Sequence, residues 1–428
     1  MLTSAVIGVI ALITAVFLIL HPVLKDAFDN STPGDSDPKP VVEALPKDSS
    51  ILTNSVKQTD AYDIETVENS EESDLTEEDN EDTDDGNFDL TEWKSSHTPV
   101  RGIYLTGPTA GSERFDEILE LLDDTELNAV VLDIKSDEGN ITFKMEHGTP
   151  KDIGACVGYI RDMEGLMQTL KEHEIYTIAR IACFKDPILA GAKETCALKT
   201  AEGVNVTDGN GLEWVNPCSE EVWEYLIEIA EYCADLGFDE IQYDYVRFPV
   251  GDTAENADFG MELTPADKHI YIEDFLKTAS ERLHSRGVPV TADVFGTVIG
   301  NEVDVEMVGQ DYVELASCVD ALCPMVYPSH YGNNVFGIPV PDAKPYDTVY
   351  AALMMSVDEL KDVSEDERAI VRPWLQSFTA TWIGGHISYG PKQIREQIKA
   401  VEDAGYDEWI LWNAKNNYPH IDMEDEEP

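Results

Sequence analysis

The run Phe238-Asp239-Glu240-Ile241-Gln242-Tyr243-Asp244-Tyr245-Val246-Arg247-Phe248-Pro249 reads as a buried strand whose far end carries an aspartate, an arginine and aromatics instead of more aliphatics. In parallel α/β proteins ligands collect at the carboxyl ends of strands, so charge placed there points to chemistry, and charge at the amino ends points to stability. Three other strand-like runs repeat the pattern. Side chains alternate between the two faces of a strand, so Asp244 shares a face with Gln242 and Val246. By the same parity Asp293 lies opposite Ala292 and Val294, Asp133 and Lys135 lie opposite Leu132 and Ile134, and Arg180 sits between Ala179 and Ile181. Three carboxylates, a lysine and an arginine are thus expected at one end of one sheet. Burying that many charges is costly unless they are paired, so the set serves either a ligand or a polar plug of Asp–Arg and Asp–Lys pairs.

Paired carboxylates a few ångströms apart suit glycoside hydrolysis, where one attacks or activates water and the other protonates the leaving oxygen. Burial and mutual repulsion would split their pKa values into those two roles, and no cofactor is required. Asp244 is the candidate nucleophile, and Asp293, with Asp133 second, the candidate acid/base. Arg180, Arg247, Lys135 and Gln376 are candidate polar contacts to a substrate. Tyr104, Tyr245, Tyr327 and Trp412 are candidate stacking surfaces for sugar rings, as are Tyr243, Phe248 and Trp374, although any of these rings serves equally well in a core. Other chemistries are less well supplied. The histidines occur singly and the first strand has no His-x-His, so a zinc site is not expected. The Ile383-Gly384-Gly385-His386 run fits a phosphate loop or a plain turn, and no G-x-S-x-G occurs.

The elements that must position these residues follow from alternating patterns. Residues 100–106, 129–135, 176–184, 240–248, 289–295, 321–327, 369–377 and 409–413 are rich in Val, Ile, Tyr or Phe and bounded by Gly, Pro, Asp or Asn, as strands are. Between them 114–122, 163–173, 220–236, 268–285, 305–316, 346–360 and 392–404 show the three- and four-residue spacing of amphipathic helices. Eight strands with intervening helices predict an α/β fold, a (β/α)8 TIM barrel over residues 98–428. A doubly wound open sheet is the alternative. The first strand–helix turn lacks the G-x-G-x-x-G that a dinucleotide fold would place there. Long connections at 137–162 and 185–217 should wall the cleft, the first with a small hairpin near 140–143.

Residues 2–24 contain no Asp, Glu, Lys or Arg, which is long enough to cross a bilayer core of about 30 Å as a helix, so 1–24 reads as a transmembrane anchor or uncleaved export signal. Residues 25–97 read as a disordered acidic linker, with 22 acidic against five basic side chains between Lys25 and Lys94. That architecture places the barrel outside a cell membrane. The formal net charge of −56 repels polyanions, which argues against nucleic acid and favours a neutral or cationic poly- or oligosaccharide. Seven cysteines without a CxxC spell no metal site, and Cys156, Cys196 and Cys218 leave room for one disulfide.

The segments Val100-Arg101-Gly102-Ile103-Tyr104-Leu105-Thr106, Val131-Leu132-Asp133-Ile134-Lys135, Ile241 through Pro249 and Ala292-Asp293-Val294-Phe295-Gly296 resemble a bacterial family of TIM-barrel glycoside hydrolases long catalogued as a domain of unknown function. The likeness covers roughly residues 100–418, and the strand-four motif is its most specific element. It implies a barrel distantly related to retaining hydrolases whose nucleophilic aspartate ends strand four, the position of Asp244 here. The chain departs from the commonest barrel glycosidases in strand seven, Arg372-Pro373-Trp374-Leu375-Gln376-Ser377, which has no glutamate. A paired-glutamate mechanism on strands four and seven is therefore not expected, and the proton donor must stand elsewhere. Two rival expectations remain, a non-catalytic carbohydrate-binding barrel and a carbohydrate deacetylase-type hydrolase.

Overall fold

The structure is a computed structural model that describes residues 88–251 and 253–421. The expected anchor at 1–24 and most of the linker expected at 25–97 lie outside the described residues. Among the described residues no helix is long and apolar enough to cross a membrane.

Eight parallel strands close into a barrel: β1 (Arg101–Leu105), β2 (Ala129–Lys135), β3 (Tyr176–Ala182), β4 (Glu240–Asp244), β5 (Val290–Phe295), β6 (Ala321–Met325), β7 (Trp374–Gln376) and β8 (Trp409–Trp412). Each pairs with the next in sequence, and β8 returns to β1 through Gly102 opposite Ile410, so the ring closes without an open edge. Helices α1 (Arg114–Asp124), α2 (Met163–Glu172), α3 (Glu220–Asp235), α4 (Lys268–His284), α5 (Glu302–Val308), α6 (Pro345–Glu359) and α7 (Pro391–Asp403) follow β1 to β7 in turn.

The two layers obey strand parity. Ile103, Leu132, Ala179, Ile181, Ile241, Tyr243, Ala292, Val294 and Leu375 point outward into the large apolar layer beneath the helices. The helices answer with their own stripe, as in α3, where Val222, Leu226, Ile229, Ala230 and Cys233 are buried at three- and four-residue spacing. Inside the barrel, Val131, Ile178, Cys323, Trp374 and Ile410 form a second, smaller apolar cluster with Tyr104 and Tyr327.

Several elements end sooner than their sequence suggests. Tyr245 takes a left-handed φ of 50°, which stops β4 at Asp244. Pro373 has no N–H for a ladder, and the seventh strand splits into Ile370–Val371 and β7. The helix expected at 305–316 is broken by Gly309, which has φ 75° and caps α5. The hairpin expected near 140–143 is present as Ile141–Phe143, antiparallel to the end of β2 and parallel to Cys156–Ile160.

The linker boundary needs correction. Residues Leu90–Ser96 form a helix whose N-terminus is capped by the Asp89 carboxylate. Phe88 stacks on His284 with 4.3 Å between ring centroids, and Lys94 donates to the carbonyls of Glu365 and Arg368. Two aromatic rings, Phe88 and Trp93, supply apolar contact within this acidic stretch. All seven cysteines are free thiols, so none of Cys156, Cys196 and Cys218 forms the disulfide for which they left room.

The amino end of the barrel is sealed by charge. Arg372 is fully buried and donates to Glu240 and to Glu408, each at 2.6 Å. Glu240 also accepts from Thr291 Oγ1 at 2.8 Å and Tyr176 Oη at 3.2 Å, and His97 lies 3.0 Å from Glu408. Charge at this end reads as scaffold, in keeping with the placement rule for barrels.

Candidate active site

Four neighbouring strands deliver Asp133, Arg180, Asp244 and Asp293 to the carboxyl end of the barrel. The register sets their spacing: Asp133 of β2 pairs with Arg180 of β3, and Tyr243 of β4 with Ala292 of β5, which puts the next residues, Asp244 and Asp293, side by side. Adjacent strands run about 4.8 Å apart.

Arg180 is the hub. Its Nε and Nη2 donate to Asp244 Oδ2 at 3.1 and 2.5 Å, and its Nη1 donates to Asp133 Oδ1. The second oxygens of both carboxylates are also taken, Asp244 Oδ1 by the Tyr245 N–H at 2.6 Å and Asp133 Oδ2 by the Tyr104 hydroxyl at 3.1 Å. Asp133, Asp244 and Arg180 retain 7%, 8% and 9% exposure, a narrow opening to solvent. Burial raises the Asp133 carboxyl above its ordinary pKa even though Arg180 pulls the other way.

Asp293 is held differently. It keeps only 1% exposure, its Oδ1 accepts the Trp374 indole N–H at 2.6 Å, and its Oδ2 is a buried oxygen with no hydrogen-bond partner. Burial, then the neighbouring charge of Asp244, push its pKa well above the usual carboxylate range, against the opposing pull of Trp374 and Arg180. A carboxyl so placed holds its proton more tightly than an ordinary carboxyl does.

Gln310, directly after the Gly309 cap, fixes the two strand ends to each other. Its side-chain amide donates to the carbonyls of Val246 at 3.2 Å and Asp293 at 3.1 Å, and its oxygen accepts the Phe295 N–H at 3.0 Å.

Aromatic rings wall the opening. Tyr327 lies 5.8 Å from Trp412, Trp412 5.2 Å from Phe378, and Tyr104 about equally far from Trp374 (6.5 Å) and Trp412 (6.4 Å). Trp412 is half-buried, so it presents part of its ring. His330, packed against Tyr327 at 5.0 Å, has its pKa lowered to about 4 by burial and is neutral at pH 7.

Three expected substrate contacts are placed otherwise. A bulge between Asp133 and Lys135 shifts the β2 register, and the Lys135 ammonium is sealed from solvent between Asp186, at 3.0 Å, and the Ala182 carbonyl, at 2.5 Å. The anticipated Asp133–Lys135 pair is thereby replaced by Asp133–Arg180 and Asp186–Lys135. Gln376 is fully buried, and its amide clamps Asp342 Oδ1, the Phe378 carbonyl and the Ser329 N–H. Arg247 lies beyond the end of β4, three residues after Asp244, and is not among the partners of the carboxylates. Its guanidinium packs among Trp214 and Phe295, both at 4.8 Å, and Tyr245, at 5.4 Å.

Other residues at the site escape a reading of strand ends. Lys185 is fully buried between Asp208 at 2.7 Å and Asp137 at 3.0 Å, with its ammonium 5.1 Å from the centre of the Tyr245 ring. Asp208 and Trp214 come from the long loop after β3, where nothing in the sequence marks which polar residue folds back. Trp374 stands on the inward face with Arg372 and Gln376, so its parity was readable, but its role as a donor to Asp293 was not. The Gly384–Gly385 run forms a plain turn closed by His386 Nδ1 on the Ile383 carbonyl at 2.9 Å. Among the described residues no group of three or more His, Cys, Asp or Glu is placed to hold a metal ion.

One solved structure agrees with the barrel fold. The PgaB (BpsB) glycoside hydrolase domain from Bordetella bronchiseptica is 14% identical over 74% of this chain and 94% of its own, with a TM-score of 0.55. A hypothetical protein from Ruminiclostridium thermocellum is 37% identical over 45% of this chain and 97% of its own, with a TM-score of 0.41. An alpha-galactosidase from Thermus thermophilus is 14% identical over 76% of this chain and 60% of its own, with a TM-score of 0.46. No curated protein matches. The model of one family, described as "Putative glycosyl hydrolase domain", matches residues 102–418, most of the chain and the whole barrel, and the chain belongs to that family.

Proposed function

We propose that the barrel hydrolyses O-glycosidic bonds of an extracellular poly- or oligosaccharide by a two-carboxylate, retaining mechanism. The observation that carries this reading is the contrast between two neighbouring carboxyls. Asp244 is tied to the Arg180 guanidinium, an environment that favours its charge, while Asp293 is buried with a free oxygen and a raised pKa. Opposite environments for adjacent carboxyls divide nucleophile from acid.

In the first step Asp244 attacks the anomeric carbon and forms a glycosyl ester as the glycosidic C–O bond breaks. The Asp293 proton passes to the departing oxygen. In the second step Asp293, now a carboxylate, takes a proton from water as the water attacks the same carbon and Asp244 leaves. The side-by-side register of β4 and β5 supports retention, because retaining pairs stand about 5–5.5 Å apart and inverting pairs about 6.5–9.5 Å. Asp133 is the weaker donor candidate because both of its oxygens are already engaged. Arg180 would hold the Asp244 carboxylate in orientation, and Tyr327 and Trp412 would face the sugar.

The test is turnover of a panel of glycans and aryl glycosides by the full chain. We expect Asp244→Asn to fall below detection, and Asp293→Asn to lose about 10²–10⁴-fold on natural leaving groups but much less on dinitrophenyl glycosides, which need no protonation. The first-formed anomer, read by NMR, should keep the substrate's configuration. Unchanged turnover in Asp244→Asn would remove the proposal, and glycan binding without turnover would favour the non-catalytic barrel. The charge-free stretch 2–24 supports attachment to a membrane with the barrel outside the cell, which fractionation of cells expressing the full chain checks.

A further inference from the structure

The aromatic wall continues beyond the carboxylates to a ring that nothing in the two-carboxylate chemistry requires. Phe378, just after β7, lies 5.2 Å from Trp412 and 6.1 Å from Tyr327, and Trp382 stacks on Phe378 at 5.9 Å and 16° between planes. Trp382 is 50% exposed. Its indole is therefore partly backed by Phe378 in an offset stack, and half of the residue meets solvent.

The loop that carries Trp382 is tied down at both ends. The Asp342 carboxylate accepts from Gln376 Nε2 at 2.9 Å before the loop and from the Ile387 N–H at 3.3 Å after it. Tyr389 adds two ties, its hydroxyl to the Asp342 carbonyl at 2.9 Å and its N–H to Thr379 Oγ1 at 3.0 Å. A large apolar ring held in place while half exposed loses little entropy on binding, which is the economy of a preorganised platform. Tyr327, Trp412 and Phe378 form a triangle of mutual ring contacts, and Trp382 extends it from the Phe378 corner.

We propose that Trp382 is a distal subsite that stacks on the C–H face of a pyranose ring remote from the scissile bond, so that the enzyme acts on chains longer than a disaccharide. This inference rests on the glycosidase reading and adds the size class of its substrate. An aromatic face offers dispersion and a weak electrostatic match to polarised C–H groups, and both are insensitive to linkage chemistry. The subsite therefore selects for chain length more than for sugar identity.

The experiment titrates the full chain carrying Asp244→Asn with di- and hexasaccharides of β-1,4-glucan, α-1,4-glucan and β-1,4-linked N-acetylglucosamine, read by calorimetry. In the series that binds, adding Trp382→Ala should weaken the hexasaccharide about three- to tenfold and the disaccharide little, while Trp382→Phe restores most of the affinity. Val303→Ala, another exposed apolar position, serves as the surface control. Equal effects of Trp382→Ala on short and long ligands, or none, overturn the subsite while leaving the glycosidase intact. Absence of binding by this variant, together with absence of turnover by the parent chain for every series, overturns the glycosidase reading and this one together.

Discussion

At the scale of single residues, the Asp293–Trp374 pair sets the protonation state on which the proposed chemistry depends. The indole N–H stabilises the charged form of Asp293, so it lowers a pKa that burial and Asp244 raise. A general acid works only while protonated, so activity should fall on the alkaline side as pH passes the elevated pKa of Asp293. Trp374→Phe removes the donor and keeps most of the ring. We expect its alkaline limb in kcat/KM to move to higher pH, because the carboxyl then releases its proton less readily. Asp244→Asn has the opposite sign, since it removes a neighbouring negative charge, and the shift can be read from the Asp293 carboxyl by 13C NMR in the inactive protein. An alkaline limb that stays in place in Trp374→Phe would separate Asp293 from the acid role.

At the scale of elements, the site is assembled by where strands and helices stop. Gly309 ends α5 in the left-handed region, and a Cβ there would lie 2.9 Å from Phe248 Cδ2 and 3.1 Å from Lys268 Cβ. The carbonyl of Val308 just before it accepts the Phe248 N–H at 2.8 Å, and Gln310 just after it holds the ends of β4 and β5 together. Gly309→Ala should therefore cost about 1–2 kcal/mol from backbone strain alone. Thermal denaturation would show a lower Tm, and kcat should fall with it because the two carboxylates lose their common brace; a Tm and kcat equal to the parent's would contradict both. Parity along the strands was legible in the sequence, and it correctly grouped Asp133, Arg180, Asp244 and Asp293 on the inward face. It failed where the backbone leaves the regular pleat: at the bulge that turns Lys135 into a structural pair, at the left-handed Tyr245, and at Pro373. Gly309 and Pro373 at least announce a break, whereas neither Tyr245 nor the β2 bulge is marked by a residue type. The partners of Lys185 were beyond reach because they come from loops whose path depends on tertiary packing.

At the scale of the whole molecule, the barrel separates its charges into two buried networks, one at each end. At the carboxyl end Asp293 carries a raised pKa, so its contribution to stability is complete below the ordinary carboxylate range and is lost as pH rises through its elevated value. At the amino end burial alone would raise Glu408, but Arg372 and His97 outweigh it and hold its pKa low. Stability from Glu408 is therefore present above the ordinary glutamate range and lost as pH falls through the lowered value. Arg372→Met leaves Glu240 and Glu408 buried without their cation, which should cost about 3–5 kcal/mol at neutral pH. The sign of the pH dependence should then reverse for this end of the barrel. Without Arg372 burial favours the protonated form of Glu408, so lowering the pH from about 8 to 5 should narrow the gap in Tm between the variant and its parent. Replacing both glutamates as well, in Arg372→Met with Glu240→Gln and Glu408→Gln, should recover part of the loss and flatten that dependence. A gap in Tm that is constant across this range would mean that Arg372 contributes by filling space and not by balancing charge.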